Sequence, residues 1–303
     1  MTWEMPLIKI YFLVCEHKDV VLSHHIRHSN NYRPAFTDEE LMTIYLFCSF
    51  DGLKLQTKRE VYNYADRHLR SWFPLLPKYE AFSQRLNALS ACFKFLTELL
   101  APRLYTNALS NQGGKVELLL DSLPIILAKR QRACCGKVAP ECASVGFCAT
   151  KKLSYYGFKL HLAGVMSESK SLPSLYSYSI TKASTHDARA FKEDIATNAI
   201  GCIFYADSAY VDETAKEELK RLYDVTVEPI QKRKKGQAEL FYDQKCQNTE
   251  ISKIRQPIEG YFNWLIHHTD IQNASKCRSL KGVLLHIFGK IAAAVVSAII
   301  FNS

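Results

Sequence analysis

Two hydrophobic rhythms run along this chain, and one gives way to the other near residue 113. Up to that point apolar residues recur at spacings of three and four, the repeat of a helix with one buried face. Such runs cover Leu7–Val21, Leu41–Cys48, Lys58–Leu69 and Tyr79–Leu104; Phe82, Leu86, Leu89, Phe93, Leu96 and Leu100 mark the stripe of the last. Thr37-Asp-Glu-Glu40 has capping-box spacing, so a helix is expected to start there. Pro74 and Pro77 break the chain between the third and fourth patterns.

After Asn111-Gln-Gly-Gly-Lys115 the signals are those of strands. Val116–Ala128 is densely apolar, Tyr155–Val165 alternates through Tyr156, Phe158, Leu160 and Leu162, and Leu175–Ile180 follows as a third strand. Asp187–Ala196 reads as helix, Cys202–Tyr205 as a buried strand, Asp212–Tyr223 as helix and Val225–Ile230 as strand. Two helices, at about 257–270 and 278–301, complete the chain. The order β-β-β-α-β-α-β-α-α predicts an antiparallel meander followed by parallel crossovers, a mixed sheet with flanking helices. It is also the order of the ribonuclease-H-like α/β fold. The expected partition is a helical domain over 1–113 and a sheet domain over 114–303.

Composition narrows the class. With 48% hydrophobic and 23% charged residues, and only 12 Gly and 10 Pro, the chain is neither disordered nor of low complexity. The net charge of +9 points toward a polyanionic partner. Met1-Thr-Trp-Glu-Met-Pro has no basic n-region or small-residue cleavage site, so the ten cysteines are expected to be reduced thiols in the cytoplasm. Val283–Phe301 has the length of a membrane span but carries His286 and Lys290. A mid-membrane lysine costs about 2.5–3.5 kcal/mol, so a buried helix is expected instead.

Three carboxylates stand out. Asp121 lies in Leu118-Leu-Leu-Asp-Ser, flanked by apolar residues on both sides. A carboxylate buried there must be paired, hydrogen-bonded or metal-bound. Asp207 repeats the pattern where the strand Cys202–Tyr205 gives way to Ala206-Asp-Ser-Ala-Tyr210, at the carboxyl edge where open α/β sheets bind ligands. Glu259 flanks the helical stripe Ile258, Tyr261, Phe262, Leu265 and Ile266, and Pro257 places it in a first turn. Taken singly, each could be an ordinary capping or helix-terminal acid. Together, two strand-end aspartates and a helical glutamate can converge on one sheet edge, as hard oxygen ligands suited to Mg²⁺ or Mn²⁺.

These segments resemble the DDE transposases of bacterial insertion sequences. Leu-Leu-Leu-Asp121-Ser, Phe-Tyr-Ala-Asp207-Ser-Ala-Tyr and Arg255-Gln-Pro-Ile-Glu259-Gly-Tyr-Phe carry the resemblance, with support from Tyr155-Tyr-Gly-Phe-Lys-Leu-His-Leu and Thr185-His-Asp-Ala-Arg. Overall length and the helical N-terminal segment are similar to the family numbered 982. The resemblance implies a ribonuclease-H-like domain that cuts element ends and joins their 3′-hydroxyls to target DNA. It implies Asp121, Asp207 and Glu259 as a metal-binding catalytic triad, with two ions clamping the attacking and leaving oxygens. Double-stranded DNA and further copies of the chain are the implied partners, and the bacterial cytoplasm and its nucleoid the implied location. Arg255 matches the family's Arg-x-x-x-Glu pattern as a phosphate contact. Pro257 departs from that pattern, since it argues against a continuous helix through Arg255.

Basic segments extend the expected DNA surface. Residues 129–159 hold Lys129, Arg130, Arg132, Lys137, Lys151, Lys152 and Lys159 against Glu141 alone, and Lys232, Arg233, Lys234 and Lys235 form a second cluster. Lys151, Lys152, Lys159 and the second cluster are candidate phosphate contacts. The same cluster also reads as a solvated loop or a nuclear-import signal. Cys134, Cys135, Cys142 and Cys148 offer zinc as a rival metal, without the paired spacing of a zinc ribbon. His161 and His186 read as structural or as carboxylate partners. A nuclease without strand transfer, and a DNA-binding protein with structural carboxylates, are the alternative functions.

Overall fold

The computed structural model describes residues 3–23, 25, 34–49, 53, 55, 57–106, 114–135, 138–148, 152–166, 171–210, 213–233 and 237–302. The chain forms two compact units, residues 1–100 with 265–303 and residues 101–264. This division differs from the expected 1–113 and 114–303, because the last helix is packed among the N-terminal ones.

The helical unit contains α1 (Glu4–Leu22), α2 (Asp38–Cys48), α3 (Lys58–His68), α4 (Tyr79–Ala88) and α5 (Ser90–Leu100). The single run expected over Tyr79–Leu104 is thus broken at Leu89, ahead of a short 3₁₀ turn at Ala101–Leu104. The capping box at Thr37 forms: its hydroxyl accepts from the Glu40 N–H at 3.2 Å, and Glu40 Oε2 accepts from the Thr37 N–H at 2.6 Å. Thr57 and Glu60 make a second box at the start of α3. The C-terminal helix, Leu280–Asn302, packs on α5 and α2. It is long and apolar enough to cross a membrane, but 72% of its most apolar window is buried inside the fold. Gly289 permits the closest approach, since a Cβ there would lie 2.4 Å from Cε1 of buried Tyr45. The two residues that argued against a membrane span are themselves buried and served. His286 Nε2 meets the Ile271 carbonyl at 2.9 Å, and Lys290 Nζ donates to the Asp270 carbonyl at 3.3 Å. Burial lowers the Lys290 pKa to about 8 against the opposing pull of Asp270.

The second unit is built on a mixed sheet. Its strands are β1 (Glu117–Lys129), β2 (Ser144–Cys148), β3 (Leu153–Val165), β4 (Ser174–Lys182), β5 (Ile203–Ala206) and β6 (Thr226–Pro229). β1 and β3 pair antiparallel, and β2 and β4 share the other edge of β3 end to end. β5 pairs parallel to β1, and β6 parallel to β5. The short strand β2 was not expected; its exposed-and-half-buried alternation over five residues is too brief to stand out. One sheet face is covered by α6 (Asp187–Ala190), which continues through a π turn and a 3₁₀ turn to Asn198, and by α7 (Glu213–Tyr223). Leu118, Leu120, Ala163, Val165, Phe191, Phe204 and Leu219 form the core of that layer. On the other face runs α8 (Tyr242–Thr269), whose Ile258 would meet a Cβ at Gly164 of β3 at 3.3 Å. The C-terminal helix of the first unit is α9.

Gly289→Ala tests the close approach on α9. Alanine is the better helix former by about 1 kcal/mol, yet its methyl has no room beside the Tyr45 ring. Overpacking of this kind costs about 1–3 kcal/mol, so the variant is expected to melt below the wild type. A higher melting temperature would show that the ring yields.

Candidate active site

The register of the parallel pair β1–β5 sets the first two carboxylates. Leu119 lies opposite Tyr205, so two residues further along both strands Asp121 and Asp207 reach the same height. Adjacent strands are about 4.8 Å apart, so the two residues lie side by side where β5 ends and β1 runs on. Asp207 follows the last residue of β5, where its Oδ1 accepts from the Ser208 N–H at 2.6 Å and the Ser208 hydroxyl at 3.0 Å. The Asp121 Oδ1 likewise accepts from the Ser122 N–H at 2.8 Å. In both cases the serine after the aspartate orients the carboxylate from its own backbone.

Asp121 opposes Leu162, whereas Ser122 opposes His161. Because side chains alternate along a strand, Asp121 belongs to the face covered by α8. Arg255 and Glu259 stand one turn apart on one side of that helix. Arg255 is buried, and its Nη2 comes within 3.8 Å of Asp121 Oδ2. Its Nε is buried without a hydrogen-bond partner in the described structure. Glu259 is exposed.

Asp121 carries the electrostatic record of this arrangement. Only a quarter of its side chain meets solvent, and its pKa is raised to about 6. Burial is the main cause; the charges of Glu259 and Asp207 push the same way, against Arg255 and the Ser122 N–H. Arg255, Glu259 and Asp207 are thus all close enough for their charges to act on Asp121. Among the described residues no three His, Cys, Asp or Glu side chains are drawn close enough together to hold a metal ion. The donor set nevertheless suits a hard divalent cation, being all carboxylate oxygen and mutually repulsive without a positive charge between.

One expectation needs correction. Pro257 neither starts a helix nor interrupts one: α8 runs unbroken from Tyr242 to Thr269, and Glu259 lies in its interior rather than its first turn. Proline forfeits one intrahelical hydrogen bond, a cost of about 3 kcal/mol. Buried Ile251, Arg255, Ile258, Tyr261 and Phe262 on either side of it hold the two stretches to one surface.

The expected phosphate contacts are in different situations. Lys232, Arg233 and Lys152 are exposed, although Arg233 also donates to the Ala238 carbonyl at 3.1 Å. Lys159 is not free: its Nζ sits 2.8 Å from Asp187 Oδ1 and 3.2 Å from the Thr185 carbonyl, with 15% of the side chain exposed. Lys151, Lys234 and Lys235, the boundary at 111–113, Lys137 and the side chains of Cys134 and Cys135 lie outside the described residues. Cys142 and Cys148 are half-buried free thiols.

Two residues near the site escaped the sequence reading. Tyr210 is fully buried, its hydroxyl pKa raised well above the ordinary value by burial, then by the charges of Asp121 and Asp187. Its place three residues after Asp207 was a usable signal. Asp187 stood in the Thr185-His-Asp-Ala-Arg segment without a role, and only the fold brings it to Lys159 and within 3.8 Å of His161 Nδ1. His161 also meets the Thr181 hydroxyl at 2.9 Å, and burial lowers its pKa to about 4, so the ring is neutral at pH 7.

The expectation of two strand-end aspartates holds for Asp207, whereas Asp121 lies within β1, which runs on to Lys129. A mixed sheet with carboxylates at the junction of its antiparallel and parallel parts is the architecture of a DDE nucleotidyl-transfer domain. The sequence profile of the transposase DDE domain matches residues 115–296, and the chain belongs to that family of DNA-cleaving, strand-transferring enzymes. Neither a curated protein nor a solved structure matches it.

The raised pKa of Asp121 has a consequence for stability. The folded state binds this proton more tightly than the unfolded chain, so stability contributed here is complete below pH 3.8 and is lost as pH rises to about 6. In metal-free buffer Asp121→Asn should remove that loss. The melting-temperature difference, variant minus wild type, should therefore be more positive at pH 7 than at pH 4. A difference independent of pH would mean that Asp121 is not desolvated.

Proposed function

We propose that this transposase cuts the ends of its own insertion element and joins the 3′-hydroxyls to target DNA, using Asp121, Asp207 and Glu259 as its metal-binding carboxylates. The observation that carries this reading is the register that brings Asp121 level with Asp207, with Glu259 near enough to act on the Asp121 charge. When bound, a pair of Mg²⁺ or Mn²⁺ ions supplies activation of the attacking oxygen and neutralisation of the leaving one. The chain's own part is to orient. Ser122 and Ser208 aim the two aspartates through their N–H groups, and buried Arg255 balances Asp121 and offers a fork of donors to a phosphate held there.

The chain is assigned to the group numbered 982 on the strength of its helical N-terminal segment and its length. Residues 1–113, ahead of a domain that already holds the chemistry, are read as the element-end recognition region. Joining both ends in one event requires two active sites, which makes a homo-oligomer the working form. The work is done on double-stranded DNA in the bacterial cytoplasm, at the nucleoid. Lys232–Lys235, with Lys151 and Lys152, track the phosphate backbone outside the carboxylate centre.

Asp121→Asn, Asp207→Asn and Glu259→Gln each preserve shape and remove a hard anionic ligand. Each should abolish Mg²⁺-dependent strand cleavage of element-end DNA while gel-shift affinity stays near that of the wild type. Near-normal cleavage by any one variant removes that residue from the triad, and cleavage without joined products favours a nuclease.

Replacing Lys232, Arg233, Lys234 and Lys235 together with serine should weaken binding to any duplex. The log–log salt slope should fall by about 0.9 for each phosphate that is no longer neutralised. A slope equal to the wild type's would show four solvated charges.

A further inference from the structure

The parallel ladder that brings Asp121 level with Asp207 is short. It joins Glu117–Leu119 to Ile203–Tyr205 and ends two residues before the aspartates. β1 then runs on beside β3 to Lys129, whereas β5 stops at Ala206 and the chain turns. The separation of the two carboxylates therefore depends on what joins that turn to β1. Ligands of one metal centre must be held to within about 0.5 Å of their working geometry.

Tyr210 is placed to make this connection. Its N–H closes the turn by donating to the Asp207 carbonyl at 3.0 Å. Its ring belongs to the core on the face covered by α6, and the residue is 1% exposed. There it stands perpendicular to the rings of Phe191 and His161, each 6.2 Å away. His161 lies opposite Ser122 in the β1–β3 ladder, on the face that Asp121 does not share. The Tyr210 side chain thus reaches from the Asp207 turn to the residue that follows Asp121, behind the sheet.

Packing accounts for the ring but not for the hydroxyl. Tyr210 Oη is buried without a hydrogen-bond partner in the described structure, a state that costs stability. Phenylalanine would fill the same space beside Phe191 and His161 without that cost. The Ser122 side chain lies near enough to the phenol to ease a pKa that burial, then the charges of Asp121 and Asp187, drive upward. Serine turns about a single bond between staggered positions, so the two hydroxyls can close on each other without either strand moving. Through its N–H the same Ser122 holds Asp121 Oδ1 at 2.8 Å.

We propose that Tyr210 is a positioning residue that sets the separation of Asp121 and Asp207, its backbone holding the Asp207 turn and its hydroxyl engaging Ser122 behind Asp121. The inference rests on the proposed reading of the two aspartates as metal ligands. It places Tyr210 behind those ligands rather than among them. Outer-shell groups of this kind change metal affinity roughly ten- to hundredfold when removed.

The test follows Mn²⁺ binding to the full-length protein without DNA, by the electron paramagnetic resonance signal of the free ion. Asp207→Asn marks the loss expected when a ligand is removed. Tyr210→Phe should weaken binding roughly ten- to hundredfold, and Ser122→Ala, which keeps the N–H, should do the same. The double variant should lose no more than either single one, since both remove one shared contact. In EDTA, Tyr210→Phe should melt at or above the wild-type temperature, because it loses only an unbonded buried hydroxyl. Unchanged Mn²⁺ affinity in Tyr210→Phe, fully additive losses in the double variant, or a Tyr210→Phe melting temperature well below the wild type's would overturn the proposal. Equal binding by the wild type and Asp207→Asn would overturn it together with the carboxylate reading. Cleavage of the element's own ends in Mg²⁺ is measured in parallel. Wild-type cleavage with an Mn²⁺ affinity indifferent to Tyr210→Phe sinks the positioning role alone; a Tyr210-dependent affinity without cleavage supports that role and counts against the transposase reading.

Discussion

A carboxylate inside the apolar run of a central strand is the constraint around which the sheet unit is arranged. Asp121 is held among leucines with little access to water, and an unpaired charge in such a place costs several kcal/mol. The Ser122 N–H and the Arg255 guanidinium offset part of that cost, while Asp207 and Glu259 add to it. Its pKa of about 6 records that repulsion, which a divalent cation bound as proposed would replace with attraction.

The neighbouring elements follow from that arrangement. Arg255 reaches Asp121 only because α8 remains a helix through Pro257, and α8 remains so because buried residues on both sides of the proline press it onto the sheet. On the opposite face, the π turn at Phe191–Ile195 belongs to the core, and its Phe191 ring packs edge-on against Phe204 at 4.8 Å and Tyr210 at 6.2 Å. Tyr210 is thereby fixed beneath the loop that carries Asp207. His161, neutral and fully buried, and the Lys159–Asp187 pair continue this polar layer toward β2. The two faces thus have different chemistry: α8 brings charge to the carboxylates, and the α6 side holds a neutral imidazole and an ion pair already closed on itself.

Much of this was legible along the chain. Periodicity separated helices from strands, and Thr37 announced α2 by a local mechanism that needs no partner beyond Glu40. Asp121 and Asp207 stood out because charged residues inside apolar runs are costly wherever they occur. Glu259 was singled out by its motif, but its setting was misread: proline's local cost argued for a helix start, and packing over many residues outweighed it. Strand β2 and the break at Leu89 were missed because one is too short for a pattern and the other leaves the hydrophobic spacing nearly unchanged.

The sequence by itself determined the change from helices to strands, the carboxylates to be considered and the family, since these depend on residue type and on spacing along the chain. Tertiary structure alone decided what those residues meet. That Lys159 faces Asp187, that Arg255 lies beside Asp121, and that α9 completes the N-terminal helical unit are relations between segments far apart in sequence. No local pattern encodes such a relation, because a charge or an apolar stripe specifies that it needs a partner without specifying which. The partner is chosen when strand register and helix packing fix the distances, and electrostatic and packing energies depend on those distances.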